Sequence, residues 1–136
     1  MEYDLIAWDY AGRLEKIASR LGSDHYVWRQ ALLDVLIFYQ NDKEYLANLL
    51  RHTSGHDSFI QYMTDINIAA LTAHIRDVSG AAAFDQKMEL LIRFYCIATV
   101  NLSCEWILGK VDINAEELAH IFEDALPLPL RPLLLP

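Results

Sequence analysis

The apolar run from Leu90 to Leu108 is the feature that most constrains how this chain folds. Its apolar side chains cover nearly every direction around a helix, whereas most helices of a soluble domain have one apolar stripe. Arg93, Asn101 and Glu105 interrupt the run, so it lacks the roughly 18 uninterrupted apolar residues of a membrane span. Because a helix that is apolar on all sides must be buried on all sides, we expect it at the centre of a helical domain or partly in a subunit interface.

Helix-forming residues dominate the chain up to residue 126, where Gly and Pro are scarce. Apolar spacing, caps and glycine stops predict six helices, at about 4–21, 25–40, 42–52, 58–78, 84–108 and 115–126. Thr53 to His56 is predicted as a turn, and Asn41 with Glu44 and Asn114 with Glu117 match the capping-box pattern. No segment alternates as a strand does. The sequence therefore predicts an all-α domain over residues 1–126, a six-helix bundle with orthogonal and antiparallel packing.

The C-terminal segment 127–136 contains four prolines and is otherwise mostly leucine. Proline lacks an amide hydrogen and clashes with the preceding helical turn, so it blocks continuation of the last helix. We expect an extended or disordered tail. Pro129 to Pro132 matches the PxxP pattern of peptide ligands, but an exposed tail without a partner is the simpler interpretation.

Charge and cysteine content narrow the function classes. The net charge is -8 and the 11 basic residues form no cluster, which argues against a nucleic-acid surface. Cys96 and Cys104 lie about 12 Å apart along a helix axis, too far for a disulfide. Two buried free thiols and the lack of a recognisable signal peptide favour a cytoplasmic protein that does not enter the membrane.

The sequence offers little support for catalysis or metal binding. The glycines are isolated, so no phosphate-binding loop is present, and no pattern marks a nucleophile. Glu117 and His120 have the Glu-x-x-His spacing of di-iron bundles, but those proteins need two such motifs. His52 and His56 flank a predicted turn, and His74 is better explained as a structural residue. We therefore predict no catalytic residue, no metal and no cofactor.

Two segments near the C-terminus resemble the C-terminal region of TetR-family transcriptional regulators. Many members end a long apolar helix on Trp-Leu-x-x-Gly, which a short turn, a polar cap and a Glu-Glu-Leu-like helix start follow. Phe94 to Gly109 followed by Asn114 to Leu118 resembles this arrangement, with Trp106 at the tryptophan position.

The start of the chain is similar to the same family. Glu2 to Ile6 looks like the junction that follows the DNA-binding domain, and Asn41 to Leu46 resembles the family's turn into a short helix. Helix number and lengths match across 4–126. The opening from Tyr3 to Trp8 is similar to regulators related to dihydroxyacetone kinase activators. The family's N-terminal helix-turn-helix is absent, so the chain is expected to be an excised fragment or a protein lacking that half.

The resemblance implies a regulatory domain that dimerises through its last two long helices and encloses a ligand pocket. Effector binding would change the spacing of the DNA-reading heads. DNA would be contacted only through the missing domain, and the effector would be small and apolar or amphipathic. The expected homodimer interface comprises Leu102, Trp106, Leu118, Ile121 and Phe122. The expected pocket comprises Trp28, Tyr39, Tyr62, Met63, Ile66, Asn67, Tyr95 and Thr99.

Two other function classes stay open on sequence alone. One is a helical-bundle enzyme or cofactor-binding protein, which would contain stoichiometric metal or a chromophore. The other is an interaction module that forms heterodimers with a full-length relative. The coding sequence upstream of Met1 distinguishes the second alternative from an excised regulatory domain.

Overall fold

The computed structural model describes residues 9, 12–17, 19–21, 27–51, 53–80 and 84–135, without the side chains of 53–58. These residues are helical or irregular, with no strand among them, which confirms the predicted all-α fold. A helical N-terminal segment at 12–17 precedes the named elements. These are α1 (Trp28–Asn41), α2 (Lys43–Arg51), α3 (Thr53–Ser79), α4 (Gln86–Ile107), α5 (Ala115–Asp124), a 3-10 turn (Leu128–Leu130) and α6 (Arg131–Leu134). The predicted features within 1–8, including the Tyr3 to Trp8 opening, lie outside the described residues.

The two long helices, α3 and α4, form an antiparallel pair that organises the domain. The first half of α3 packs with the second half of α4, and the second half of α3 with the first half of α4. The other main helix pairing joins α1 to α5. Each end of the α3–α4 pair is covered by a different part of the chain.

Local signals at helix ends set several of the boundaries. The Asp85 carboxylate accepts a hydrogen bond from the Met88 amide at 2.9 Å and so caps α4. Gly109 follows the end of this helix with a φ of +81°, the left-handed conformation that favours glycine at this position. Asn114 caps α5 by accepting from the Glu117 amide at 2.8 Å, and its own amide donates to the Glu117 carboxylate. The capping prediction at Asn114 is confirmed.

Two predicted boundaries are wrong. Thr53 to His56 belong to α3 and do not form a turn, because one glycine costs a helix only about 1 kcal/mol and packing of the following turns outweighs it. Asn41 is the last residue of α1, and the Leu46 amide donates to the Asp42 carbonyl at the start of α2. The first hydrogen bond of α2 therefore begins at Asp42 and not at the predicted cap.

The larger of two hydrophobic clusters, which we call the main cluster, lies at one end of the α3–α4 pair. It combines side chains of α1, α2 and α5 with the first half of α3 and the second half of α4. Leu46, Leu36 and Phe59 are almost completely buried in it. The apolar stripes of three amphipathic helices thus cover this end, as helical periodicity predicts.

The smaller cluster, which we call the tail cluster, contains Leu71 and Ile75 of α3, Ile92, Tyr95 and Cys96 of α4, and Leu126, Leu130 and Leu134. The last three leucines follow one another at four-residue spacing and bury their side chains. The expectation of an extended tail is therefore wrong. Pro129 and Pro132 occupy the first turns of the 3-10 turn and of α6, where no amide hydrogen is needed.

One face of α4 is exposed on this chain, so α4 is not the fully central helix of the two arrangements that the sequence left open. Leu90, Phe94 and Ile97 are 56%, 71% and 45% exposed. Their spacing of three to four residues places them on a single face. In the described part of the chain, α4 is the one helix long and apolar enough to cross a membrane. Core helices of soluble proteins have the same length and composition, and eight α4 residues are buried in this domain.

Candidate functional site

A cavity lies between the N-terminal segment, α1, α3 and α4, where the main cluster meets the tail cluster. About 70 Å³ of it is open to the centre of a water molecule, several times the roughly 15 Å³ that one water requires. Its walls are mainly leucine, valine, alanine and aromatic side chains. The lining residues are Leu14, Ile17, Leu21, Trp28, Ala31, Leu32, Val35, Leu36, Tyr39, Asn67, Ala70, Leu71, Tyr95, Cys96, Thr99, Val100, Ser103 and Phe122.

Five of the eight residues expected in a pocket line this cavity, and three do not. Trp28, Tyr39, Asn67, Tyr95 and Thr99 are brought together from α1, α3 and α4. Tyr62 is exposed, Met63 is buried in the main cluster, and Ile66 packs against that cluster. All three lie on α3 near Asn67: Ile66 directly precedes it, Met63 lies four residues before it, and Tyr62 lies five residues before it.

Sequence reasoning missed the part of the wall that the N-terminal segment contributes. Leu14, Ile17 and Leu21 recur at three- and four-residue spacing, which could have identified one apolar face directed at the core. The small residues Ala31 and Ala70 were also missed. Alanine leaves room where a larger side chain would fill the cavity, but a sequence does not reveal which alanines face one another.

A hydrogen-bonded chain of aromatic residues closes one side of the cavity. The Trp28 indole Nε1 donates to the Tyr95 hydroxyl at 3.3 Å, and that hydroxyl donates to the Phe122 carbonyl at 2.5 Å. The two rings have centroids 6.3 Å apart and are tilted. Burial raises the pKa of Tyr95. The chain ties α1 and α4 to the backbone of α5.

On another side of the cavity, α1 and α3 are joined by polar side chains. The Asn67 amide donates to the Met63 carbonyl at 2.8 Å and is also hydrogen-bonded to the Tyr39 hydroxyl. Burial raises the pKa of Tyr39, and the nearby Cys104 adds to this effect. Asn67 therefore meets the hydrogen-bonding need of a buried tyrosine while facing the cavity.

Two hydroxyls of α4 also face the cavity. Thr99 Oγ1 donates to the Tyr95 carbonyl at 2.9 Å, and Ser103 Oγ donates to the Thr99 carbonyl at 2.7 Å. Such bonds to the preceding turn of a helix are common for buried hydroxyl side chains. Thr99 therefore lines the cavity and is also hydrogen-bonded to its own helix.

The two cysteines of α4 are free, buried thiols. Burial raises the pKa of each thiol to about 12, with the Glu105 carboxylate adding to the effect at Cys104. A thiol that stays protonated at neutral pH is a poor nucleophile and a poor metal ligand. Cys96 therefore contributes apolar wall to the cavity, and Cys104 packs in the main cluster.

Potential metal ligands do not converge in the described part of the chain. Within it, no three His, Cys, Asp or Glu side chains are grouped so as to hold an ion. Glu117 is engaged by the Asn114 cap, and His120 Nε2 lies 3.9 Å from Asp124 on the exposed surface. His52 and the side chain of His56 lie outside the described residues.

Comparison with known protein families shows which family the chain belongs to. A family model described as the C-terminal region of transcriptional regulators, of the TetR type, matches residues 27–127. The chain belongs to the TetR C-terminal family. The matched region runs from the start of α1 to the beginning of the tail, and so includes most of the cavity wall. Comparisons with curated proteins and with solved structures give no significant match.

TetR C-terminal domains are regions of transcription regulators and are generally non-enzymatic. In this TetR C-terminal domain, the five residues expected at a dimer interface occupy two kinds of position. Trp106, Leu118 and Phe122 are 6%, 3% and 3% exposed and pack in the main cluster. Leu102 and Ile121 are about half exposed. A side chain already buried within its own chain has little surface left to give a partner, so the surface open to a second subunit includes Leu102 and Ile121 and the exposed face of α4.

Proposed function

We propose that this TetR C-terminal domain is the effector-sensing and dimerisation half of a transcriptional regulator whose DNA-binding helices lie outside the chain. The observation that carries the sensing role is the cavity between the N-terminal segment, α1, α3 and α4. It is concave and mainly apolar, with a few polar groups, as small-molecule sites usually are. The segment that precedes α1 forms part of its wall, and in such a regulator this segment follows the DNA-binding domain.

The position of the cavity supports a route from effector to DNA-binding domain. An effector between Leu14 or Ile17 and α4 would contact both the N-terminal segment and the central helix pair. An effector that prefers one arrangement of that segment would shift the population toward it. The resulting movement would change the spacing of two DNA-binding domains across a dimer.

A cavity-filling substitution tests effector binding. Ala70 lines the cavity, whereas Ala73 is exposed on the same helix and does not. Small aromatic compounds that raise the melting temperature of the wild-type chain should do so equally for Ala73→Leu and should have no effect on Ala70→Leu. Equal stabilisation of both variants would place the binding elsewhere and contradict the proposal.

The exposed face of α4 supports the dimerisation role. TetR-type regulators typically act as dimers that bind small effectors. Leu90, Phe94 and Ile97 form an apolar stripe on this domain, and a second copy would bury it. The dimer proposed here uses this stripe, together with Leu102 and Ile121, in place of the buried side chains of the main cluster.

A charge on this stripe tests the dimer. Phe94→Asp should reduce the mass measured by sedimentation from near twice 15.6 kDa to a single chain, because the interface would bury an unpaired charge. Leu128→Asp is the matched control, since Leu128 is equally exposed but lies on the 3-10 turn. A dimer that survives Phe94→Asp would exclude the stripe from the interface.

The subgroup and the location of the protein are finer points of the same proposal. The Tyr3 to Trp8 opening supports a relationship to dihydroxyacetone kinase activators, and the family supports a cytoplasmic regulator. Finding a helix-turn-helix in the coding sequence upstream of Met1 would support the whole assignment. If the upstream coding sequence encodes no helix-turn-helix, the result would instead indicate a module that forms heterodimers and lacks a DNA-binding half.

A further inference from the structure

The cavity wall contains no charged side chain among the described residues. Its polar members are amide, hydroxyl, indole and thiol groups, and its remaining members are apolar. The ion pair of Arg29 with Glu123, at 3.1 Å, does not line the cavity, although Glu123 and Arg131 lie near enough to influence the Tyr95 hydroxyl. A carboxylate or ammonium group entering this cavity would lose its hydration without gaining a counter-ion in the wall, which is unfavourable. This excludes a charged group from the buried part of a ligand.

The hydrogens of the three α4 hydroxyls in the wall, and that of the Trp28 indole, are already donated within the protein. Thr99 donates to the Tyr95 carbonyl, Ser103 donates to the Thr99 carbonyl, and Tyr95 donates to the Phe122 carbonyl. The Trp28 indole donates to Tyr95 in turn. A hydroxyl has one hydrogen and two lone pairs, so a hydroxyl that donates inward still offers an acceptor. The wall of α4 thus presents oxygen lone pairs to the cavity.

The position of Thr99 makes it the best placed of these acceptors. It lies one turn from Tyr95 and one turn from Ser103 on the cavity face of α4. Ser103 is more deeply buried, at 5% exposed, and the Tyr95 hydroxyl already accepts from Trp28. Among the hydroxyls of α4, Thr99 Oγ1 is therefore the acceptor that we assign to a hydrogen-bond donor on the ligand.

We propose that the cavity selects an uncharged, single-ring or similarly compact apolar molecule with one hydroxyl or N–H group, which donates to Thr99 Oγ1. The inference rests on the proposed effector site and adds the chemical class of its ligand. The size follows from the cavity, whose open volume corresponds to roughly five water molecules. Phenols and small neutral alcohols belong to this class, whereas carboxylates, protonated amines and purely hydrogen-bond-accepting molecules do not.

Three probes of nearly equal shape test this class by isothermal titration calorimetry on the full chain. These are p-cresol, which donates a hydrogen bond, p-xylene, which does not, and p-toluate, which is charged. We expect p-cresol to bind about three- to tenfold more tightly than p-xylene, the range of one net hydrogen bond, and p-toluate to bind least. Tighter binding of p-toluate would overturn the neutral class, and equal binding of p-xylene would overturn the donor requirement.

Matched threonine variants locate the acceptor. Thr99→Val should remove the preference for p-cresol while leaving p-xylene binding unchanged. Thr64→Val is the control, because Thr64 donates to the Ile60 carbonyl in the same way but does not line the cavity. If Ser103→Ala removes the preference and Thr99→Val does not, the assignment to Thr99 is wrong. The proposed effector site itself fails if none of the three probes binds the wild-type chain and if compounds that raise its melting temperature do so equally for Ala70→Leu.

Discussion

The two ends of the α3–α4 pair are covered in different ways. At one end, α1, α2 and α5 lay amphipathic faces over the main cluster. At the other, the tail cluster is closed by three leucines of a proline-rich segment that forms only a 3-10 turn and one short helix. The cavity lies where the two meet and takes wall residues from both. Core residues are thus buried equally well at both ends of the pair. Helices cover them at one end, and a short segment that packs through its leucine side chains covers them at the other.

Removing the tail is the strongest way to break this comparison. A chain ending at Ala125 would lose Leu126, Leu130 and Leu134 and expose Ile75 and Ile92, both now fully buried. We expect the free energy of unfolding to fall by more than the roughly 2–5 kcal/mol of one buried leucine-to-alanine change. Urea denaturation followed by circular dichroism measures the loss. An unchanged midpoint would show that the tail does not close the cluster in solution.

A matched pair of leucines sharpens the comparison between the two ends. Leu46 in the main cluster and Leu130 in the tail cluster are both 0% exposed. Leu46→Ala leaves a cavity enclosed by several helices, so we expect a loss of about 4–5 kcal/mol. Leu130→Ala should cost about 2–3 kcal/mol, because the short segment above it can settle into the space.

The control for this pair is Leu128→Ala in the same 3-10 turn. Leu128 is 79% exposed, so its truncation should change stability by no more than about 0.5 kcal/mol. Chemical denaturation of the three variants gives all the values. If Leu130→Ala cost as much as Leu46→Ala, the tail would be as rigid a cover as the helices.

The sequence predicted the helices of the main-cluster end because their signals are local and periodic, although the boundaries at Asn41 and at Thr53 to His56 were wrong. Helical spacing, the Asn114 cap and Gly109 each reflect a few neighbouring residues. The tail was mispredicted because its prolines outweighed the four-residue spacing of Leu126, Leu130 and Leu134. Proline is unfavourable in the interior of a helix but not in its first turn. A short turn is stable only when its side chains can pack on an apolar surface. That surface is formed by residues that are distant in sequence, so no local pattern reveals it.

The candidate site was predictable to the same extent. Trp28, Tyr39, Asn67, Tyr95 and Thr99 were identified from residue type and helix membership. Asn67 faces the cavity and Tyr62 is exposed, because the packing of α3 decides which of its faces points inward. The burial of Leu118 and Phe122 within their own chain likewise reflects the packing of α1 on α5, and Trp106 is buried in the same cluster. Apolar spacing alone does not distinguish such packing from packing on a second chain.

Alkaline pH compares the two clusters through one thiol in each. Burial raises the pKa of Cys96, in the tail cluster, and of Cys104, in the main cluster, from 9.0 to about 12. Between these values the unfolded chain releases protons that the folded chain keeps. Stability that is complete below pH 9 is therefore lost as the pH rises toward 12. Each thiol contributes a loss of up to about 1.4 kcal/mol per pH unit.

Single alanine variants assign this loss to its cluster. Cys96→Ala and Cys104→Ala should each flatten the fall in unfolding free energy between pH 9 and 11, measured by urea titration at each pH. Buried Tyr39 and Tyr95, whose pKa values are also raised, contribute above pH 10 and remain in both variants. A variant as steep as wild type would mean that its thiol is open to solvent, and that its end of the domain is looser than the packing indicates.

Mild acid gives the smallest effect and probes α3 beside the tail cluster. Burial lowers the pKa of His74 below its usual 6.5, although the Asp77 carboxylate partly offsets this. Between the two values the unfolded chain binds a proton that the folded chain does not, so stability is present above pH 6.5 and decreases as the pH falls through this range. His74 is only half-buried, so solvent screening limits the loss to less than about 1 kcal/mol. His74→Gln should reduce the difference in urea midpoint between pH 7.5 and 5.5. If the difference in urea midpoint is unchanged in His74→Gln, other groups cause the acid sensitivity. Protonation then does not destabilise the tail-cluster end of α3 more than the main cluster.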